Sequence, residues 1–431
     1  MLEKRSSRVP GIARTCIATL GMAVSIGALR TPRAAAQTPP AEPPAAPAPP
    51  MAAPPAPPPV LVTPPPPVVT PPAAVATEAK PPTSAEAMPA SRPDVLPPID
   101  VGAWLRVGGI FQGATDKSKV DDWHMDSEYV ELHAGGKIHK KVGVTLNLNA
   151  NMVDFSSAGA SAVTIEDAIV SFDFADEFHF WAGHLLVPVD RANASGPFFM
   201  IPWRYPGLAG SGPKEGPSGR SNGAVVWGDI QGGMLTYLVG AFDDANVGES
   251  PLYTARLRLA LLDPEPGFWG NASFFGDKDM LSIGVGGQYQ AHGSSSATAD
   301  KDWADINGDV LFEKKIPGGG WFTAEGAYYH FNVLDGVKAA SDAFYGLLAY
   351  ATPTIGIGNI QPMVRYQYES IKGNSDTNPW NLDAGLSYLI KGPALRLVAT
   401  YSYTKLGPFA PTNGSYSSTN SVQLGAQAIF F

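Results

Sequence analysis

Val142-Gly143-Val144-Thr145-Leu146-Asn147-Leu148-Asn149-Ala150-Asn151-Met152 alternates without a break. Val142, Val144, Leu146, Leu148, Ala150 and Met152 share one side of an extended chain; Gly143, Thr145, Asn147, Asn149 and Asn151 share the other. Successive side chains of a strand point to opposite faces, so this strand has one oily and one strongly polar face. A helix would instead need apolar residues three and four apart. Segments of the same kind, about 10–13 residues long, recur from Ile99 onward with turn signals between them. No helix-period segment is interleaved. Repetition at that length is the pattern of a barrel whose residues alternate between lipid and lumen. The expected fold class is all-β, a transmembrane antiparallel β-barrel of about sixteen strands.

Strands are expected near 101–114, 126–139, 142–153, 163–174, 177–187, 222–230, 233–243, 252–262, 279–291, 302–314, 321–332, 343–352, 359–370, 379–391, 393–404 and 420–431. Lys140-Lys141, Ala175-Asp176, Gln231-Gly232 and Gly392 are short connections, whereas 115–125, 188–221 and 405–419 are long. Short periplasmic turns and long external loops are the habit of outer-membrane barrels. An even strand count puts both termini on the periplasmic side. Residues 263–278 break the alternation: Asp263-Pro264-Glu265-Pro266-Gly267, then Phe268 to Gly276, stand where a tight turn belongs. A further strand there leaves a count of eighteen open. Trp181, Trp227, Trp321, Trp380, Tyr350, Tyr388 and Tyr401 fall near strand ends, where girdles of aromatic residues meet the headgroups.

Of the 42 prolines in 431 residues, 26 precede residue 99. Residues 1–36 read as a secretory signal peptide. Lys4, Arg5, Arg8 and Arg14 are basic, Cys16 to Leu29 is apolar but too short to span a bilayer, and Ala34-Ala35-Ala36 offers cleavage before Gln37. Removing it would leave a net charge of -14 where the whole chain has -9. Residues 37–98 carry 24 prolines. Proline removes the backbone donor and fixes φ, so this stretch is a disordered periplasmic spacer, on the order of 190 Å if fully extended polyproline II. It is a tether with a possible peptidoglycan contact or a tail with no partner. Residues 99–431 form the barrel domain.

One Cys excludes a disulfide scaffold and a Cys-based metal site. The acidic balance argues against nucleic acid. The seven His have no ligand spacing, and neither Gly-x-Ser-x-Gly nor Gly-x-x-x-x-Gly-Lys occurs. No enzyme activity, cofactor or metal is therefore expected.

The run Phe180-Trp181-Ala182-Gly183-His184-Leu185-Leu186-Val187-Pro188-Val189-Asp190-Arg191 resembles bacterial outer-membrane porins, most closely the phosphate-selective (O/P-type) family. Tyr237 to Asp244, Tyr253 to Leu257 and Asp279 to Gly286 are similar as well. The resemblance covers about residues 100–290 best. It implies a sixteen-stranded barrel in the outer membrane, assembled as a homotrimer, with its third external loop folded into the pore. Phe431 is terminal, as in such barrels, but the residues at every second position before it include Gln427, Gly425 and Gln423. The apolar phase is Val422, Leu424, Ala426, Ala428 and Phe430.

The third external loop, 188–221, holds Asp190, Arg191, Arg204, Lys214, Glu215 and Arg220 among Gly and Pro. With Phe198, Phe199, Trp203 and Tyr205 needing a packing surface, it is expected to constrict the pore. Strand phase points Arg106, Arg256, Arg258, Arg365 and Arg396 into the lumen, together with Asp167, Asp173, Asp305, Asp309, Glu313, Glu369 and Asp383. An arginine facing lipid at mid-depth would cost about 2–4 kcal/mol. These charges either set a field across the pore or pair with each other and stiffen the wall. The expected function is passive diffusion of small hydrophilic solutes or ions. The alternatives are an anion- or phosphate-selective channel and a sealed barrel that anchors the Pro-rich arm.

Overall fold

The computed structural model describes residues 99–114, 122–152, 162–207, 219–243, 250–293, 302–332, 340–373, 378–405 and 418–430. The expected signal peptide, the spacer 37–98, Lys214, Glu215 and Phe431 lie outside the described residues. Sixteen strands form one sheet that closes on itself. They are β1 (Asp100–Ala114), β2 (Asp122–His139), β3 (Val142–Met152), β4 (Ala162–Ala175), β5 (Phe178–Leu186), β6 (Arg220–Ile230), β7 (Leu235–Asp243) and β8 (Leu252–Ala260). They continue as β9 (Met280–Gln290), β10 (Trp303–Lys315), β11 (Trp321–Phe331), β12 (Ser341–Ala351), β13 (Asn359–Ile371), β14 (Trp380–Leu389), β15 (Leu395–Lys405) and β16 (Ser418–Phe430). Every strand pairs antiparallel with its chain neighbours. The ring closes where β1 meets β16, from Ala103 opposite Phe430 to Ala114 opposite Thr419. The strand count is sixteen: residues 263–278 form no strand.

Alternation builds the two surfaces. Along β8, Thr254, Arg256, Arg258 and Ala260 are buried inside, while Tyr253, Leu257 and Leu259 are exposed outside. On β16 the outward face is Val422, Leu424, Ala426, Ala428 and Phe430, so the apolar phase ends one residue before the C-terminus. Connections after even-numbered strands are short, as at Lys140-Lys141 and Asp176-Glu177, except the one after β8, and define a turn rim that also carries the start of β1 and the end of β16. The opposite end is the loop rim. Two local devices bend the rule. A bulge between β3 and β4 shifts the register at Asn147/Leu148, so the consecutive Glu166 and Asp167 are both buried inside. Gly183 sits at φ 138, and a Cβ there would lie 2.0 Å from the Ala168 carbonyl oxygen, so only glycine lets β5 approach β4.

The aromatic girdle is a partial correction. Trp181, Trp227 and Trp321 turn inward. Trp181 and Trp227 pack around Phe268 at ring separations of 4.8 and 6.0 Å, and Trp321 joins a cluster with Phe275 and Leu389. Tyrosines supply the outer belts instead. At the loop rim the hydroxyls of Tyr289, Tyr328 and Tyr401 donate to Asp302, Asp342 and Asn420; at the turn rim Tyr237 and Tyr388 donate to the carbonyls of Glu177 and Ile355.

Candidate functional site: the barrel interior

Residues 187–207 leave β5 and run into the barrel. Their start is fixed by β8, β10 and β11. The Thr254 hydroxyl donates to the Pro188 carbonyl at 2.6 Å, and Arg256 donates to the Val189 carbonyl at 3.0 Å. Asp190 caps a one-turn helix, α1 (Arg191–Ser195), accepting from the Asn193 amide at 2.6 Å. Its other oxygen accepts from the Tyr329 hydroxyl at 2.6 Å. Burial pushes the Asp190 carboxyl up, against the pull of those two donors.

Arg191 is wholly buried and uses every arm of its guanidinium. It grips Glu265 in two bonds of 2.8 and 2.9 Å, and donates to the Asn271 carbonyl at 2.7 Å and the Ser282 hydroxyl at 2.6 Å. It also reaches Asp309 at 3.3 Å, whose second oxygen meets Arg256 at 2.6 Å. Burial opposes the charge on Glu265, but the Arg191 and Arg258 guanidiniums hold its carboxyl down at about 2. A fork-to-fork pair in a dry site is geometrically specific as well as strong.

The far end of the segment is held by three wall arginines that donate to backbone carbonyls. Arg106 on β1 donates to Pro197 at 3.0 Å and also to Trp203. Arg396 on β15 donates to Met200 at 2.6 Å and Ile201 at 3.2 Å, and Arg365 on β13 donates to Arg204 at 2.8 Å. Gln427 on β16 donates to Phe198 at 2.9 Å. The Arg106 guanidinium lies 3.9 Å over the Trp203 ring. Gly425 is what lets that ring sit against β16, since a Cβ there would come within 2.5 Å of it. The segment thus bridges the interior from β8–β11 to β13, β15, β16 and β1.

A second inward structure comes from the turn rim. Residues 263–278 fold back into the barrel and meet α1, where the Gly270 amide donates to the Ala194 carbonyl at 3.3 Å. Arg258 holds its start, donating to the carbonyls of Glu265 at 2.9 Å and Gly267 at 2.7 Å. Asp229 accepts the Gly267 amide at 2.7 Å. Glu313 on β10 accepts from Ser273 at 2.7 Å, from the Phe274 amide at 3.2 Å and from the Gly276 amide at 2.8 Å. This carboxylate replaces the sheet partners that the segment lacks.

The remaining charges are also engaged. Arg220 bridges Glu166 at 2.8 Å and Asp167 at 3.0 Å, and Asn147 and Asn149 donate to the same carboxylates. Asp173 bonds His179 and Trp181 and lies 3.6 Å from Lys137. Asp305 accepts from Asn307 at 3.1 Å, Glu369 from Ser341 at 2.7 Å, and Asp383 from Arg365 at 2.8 Å. Arg204 stands exposed at the lip of the bridge. Strand phase missed Glu265, Asp229, Glu166 and Glu325, all buried inside. Glu265 had a signal, since it lies between two prolines in the one turn that is too long. Glu166 had none, because the bulge that turns it inward depends on β3. Among the described residues no group of three metal-binding side chains is present.

No family model and no curated protein matches the sequence. Solved structures do match in shape. OprB of Pseudomonas putida at high pH superposes with a TM-score of 0.56 at 9% identity, over 77% of this chain and 94% of that chain. The anion-selective porin of Comamonas acidovorans gives 0.51 at 12% identity, over 77% and 99%. The outer membrane channel DcaP of Acinetobacter baumannii gives 0.50 at 11%, over 77% and 97%. At such identities the likeness is one of fold: this chain has the closed barrel architecture of outer-membrane channels.

Proposed function

We propose that the protein is an outer-membrane porin that lets small hydrophilic solutes and ions diffuse through the barrel, past the bridge formed by 187–207. One observation carries this reading: a polar interior is crossed by a segment anchored at both ends, inside a wall whose outer face is apolar. The bridge narrows the path, and the insert 263–278 fills part of the remainder from the turn rim. In this reading residues 1–36 export the chain, residues 37–98 lie in the periplasm and can touch peptidoglycan, and the outer face meets lipid. Trimeric assembly follows the resemblance to porins.

Selectivity is weak in this reading. The wall arginines hold carboxylates or backbone carbonyls, so Arg106, Arg256, Arg258, Arg365 and Arg396 act as struts of the bridge and insert. That engagement argues against a phosphate ladder and hence against the phosphate-selective branch of the resembling family. The test is a planar-bilayer recording of the full chain in KCl. A stable ohmic conductance with a reversal potential near zero in a salt gradient is expected. A sealed barrel would overturn the channel reading, and a reversal potential near the anion Nernst limit would overturn the weak selectivity.

A further inference from the structure

One part of the interior has a chemistry that the charged half lacks. Between the bridge residues 202–207 and the loop-rim halves of β13–β16 lies an open cavity of about 210 Å³. That is below the roughly 300 Å³ at which drug-sized pockets begin, and it suits one small ring. Its wall is a grid of neutral groups set by the sheet register. Thr404 stands opposite Thr419, and Ser402 opposite Ser421. On the next strands Gln367 donates to Asn381 at 2.8 Å, and Asn381 donates to Thr404 at 2.9 Å. Every one of these amides and hydroxyls has donor and acceptor capacity.

Two of the three ionic groups in the lining pair with each other, and the third, Arg204, lies exposed at the edge. Arg365 meets Asp383 through two nitrogens, both at 2.8 Å. The half-buried Tyr205 ring is on the facing side. At the base, the Thr400 hydroxyl is buried with no hydrogen-bond partner among the described residues, which is unusual for a polar side chain 7% exposed. A neutral polar grid opposite an aromatic ring has the complementarity of a polyhydroxylated ring, whose hydroxyls both donate and accept and whose C–H face lies on an aromatic.

We infer that this cavity is a weak binding site for an uncharged monosaccharide at the loop-rim mouth of the channel. The inference rests on the porin reading for its role, since a site there would load a passing sugar ahead of the bridge. The site itself is a property of the barrel wall and is testable apart from conduction.

The experiment uses the full chain in planar bilayers with glucose added to the loop side, each protein normalised to its own sugar-free conductance. Expected is a saturable fall in conductance with half-saturation on the order of millimolar, an affinity of about −4 kcal/mol. Filling the cavity with Ser402→Leu/Ser421→Leu raises that half-saturation at least tenfold. Viscosity acts equally on both proteins, so a decline linear in glucose with the same slope in each overturns the site. Calorimetric titration of the detergent-solubilised wild-type chain with glucose keeps the two readings apart. Saturable heat from a non-conducting barrel upholds the site and sinks the porin. An ohmic channel without saturable block or heat upholds the porin and sinks the site. If the leucine variant does not fold, Ser402→Ala/Thr404→Val removes two hydroxyls without adding bulk, and an unchanged half-saturation overturns the site.

Discussion

The two ends of the bridge differ in whether buried ion pairs help to hold them. At β8–β11 it is pinned through Arg191, which pairs with Glu265 of the insert and Asp309 of β10, while Thr254 and Arg256 donate to the Pro188 and Val189 carbonyls beside it. At β13, β15, β16 and β1 it is pinned by wall arginines and Gln427 donating to backbone carbonyls. The Arg191 pairs at the first end have charge on both partners and are buried. The second needs only that the loop present its carbonyls, so it places few demands on loop side chains and leaves the neighbouring wall free to be neutral. The difference teaches where each half is vulnerable. A single charge deletion should collapse the first end, whereas the second should loosen one bond at a time.

The largest effect is therefore expected at Arg191. Arg191→Ala leaves Glu265 buried without its main partner, and breaking a buried pair in this way costs about 3–5 kcal/mol. Expected are a lower melting temperature and a noisier, larger single-channel current as bridge and insert part. Glu265→Ala should give much the same, and the double variant should be far less than additive, because both singles break one contact. Additive losses in the thermal melts would contradict the pairing.

Acid tests the same end reversibly. The Glu265 carboxyl is held at about 2 against an ordinary 4.5, which at about 1.4 kcal/mol per pH unit corresponds to on the order of 3 kcal/mol. The folded value is depressed, so the stabilisation is whole above about pH 4.5 and is lost as pH falls toward 2. Melting temperature should hold from neutral pH to about 5 and then drop, with the part due to this pair absent in Glu265→Gln. An equal acid drop in that variant would assign the effect to other carboxylates.

These two networks also mark the limit of what the sequence discloses. The strands are legible because alternation is local: each of β1–β16 follows from its own ten or so residues. The third loop is legible by its length. Which group an arginine grips is not, since Arg396 finds carbonyls 195 and 196 residues away and Arg191 finds Glu265 at a separation of 74. Strand phase places Arg256 and Arg258 inside but says nothing of the bridge that occupies the first or the insert that occupies the second. The same blindness misdirects Trp181 and Trp227, whose strand-end positions suit a membrane belt until Phe268 supplies an inner partner.

At the second end the expected losses are smaller. Arg396→Gln removes the donors to Met200 and Ile201 while keeping a polar group beside Gln427. Hydrogen bonds from a charged donor contribute about 1.5–3 kcal/mol. The bridge keeps its bonds from Arg106, Arg365 and Gln427, so the conducting barrel should persist with a modestly lower melting temperature. A collapse as deep as that of Arg191→Ala would show that the two ends do not differ as the geometry implies.

The smallest change tests whether the bridge is seated by shape as well as by bonds. Gly425→Ala puts a methyl 2.5 Å from the Trp203 ring, which cannot retreat because Arg106 is stacked 3.9 Å from its centroid. Overpacking of this kind costs about 1–3 kcal/mol. Gly346 is the matched control: it also lies mid-strand, on β12, but a Cβ there meets nothing within 4 Å. Gly346→Ala should leave the melting temperature unchanged or slightly raised, because alanine restricts the unfolded chain. Equal losses in the two variants would mean that the sheet resists any added side chain at a glycine, and that Trp203 is not wedged against β16. A loss confined to Gly425→Ala would mean that the second end, though held by separable bonds, has one contact that does not yield.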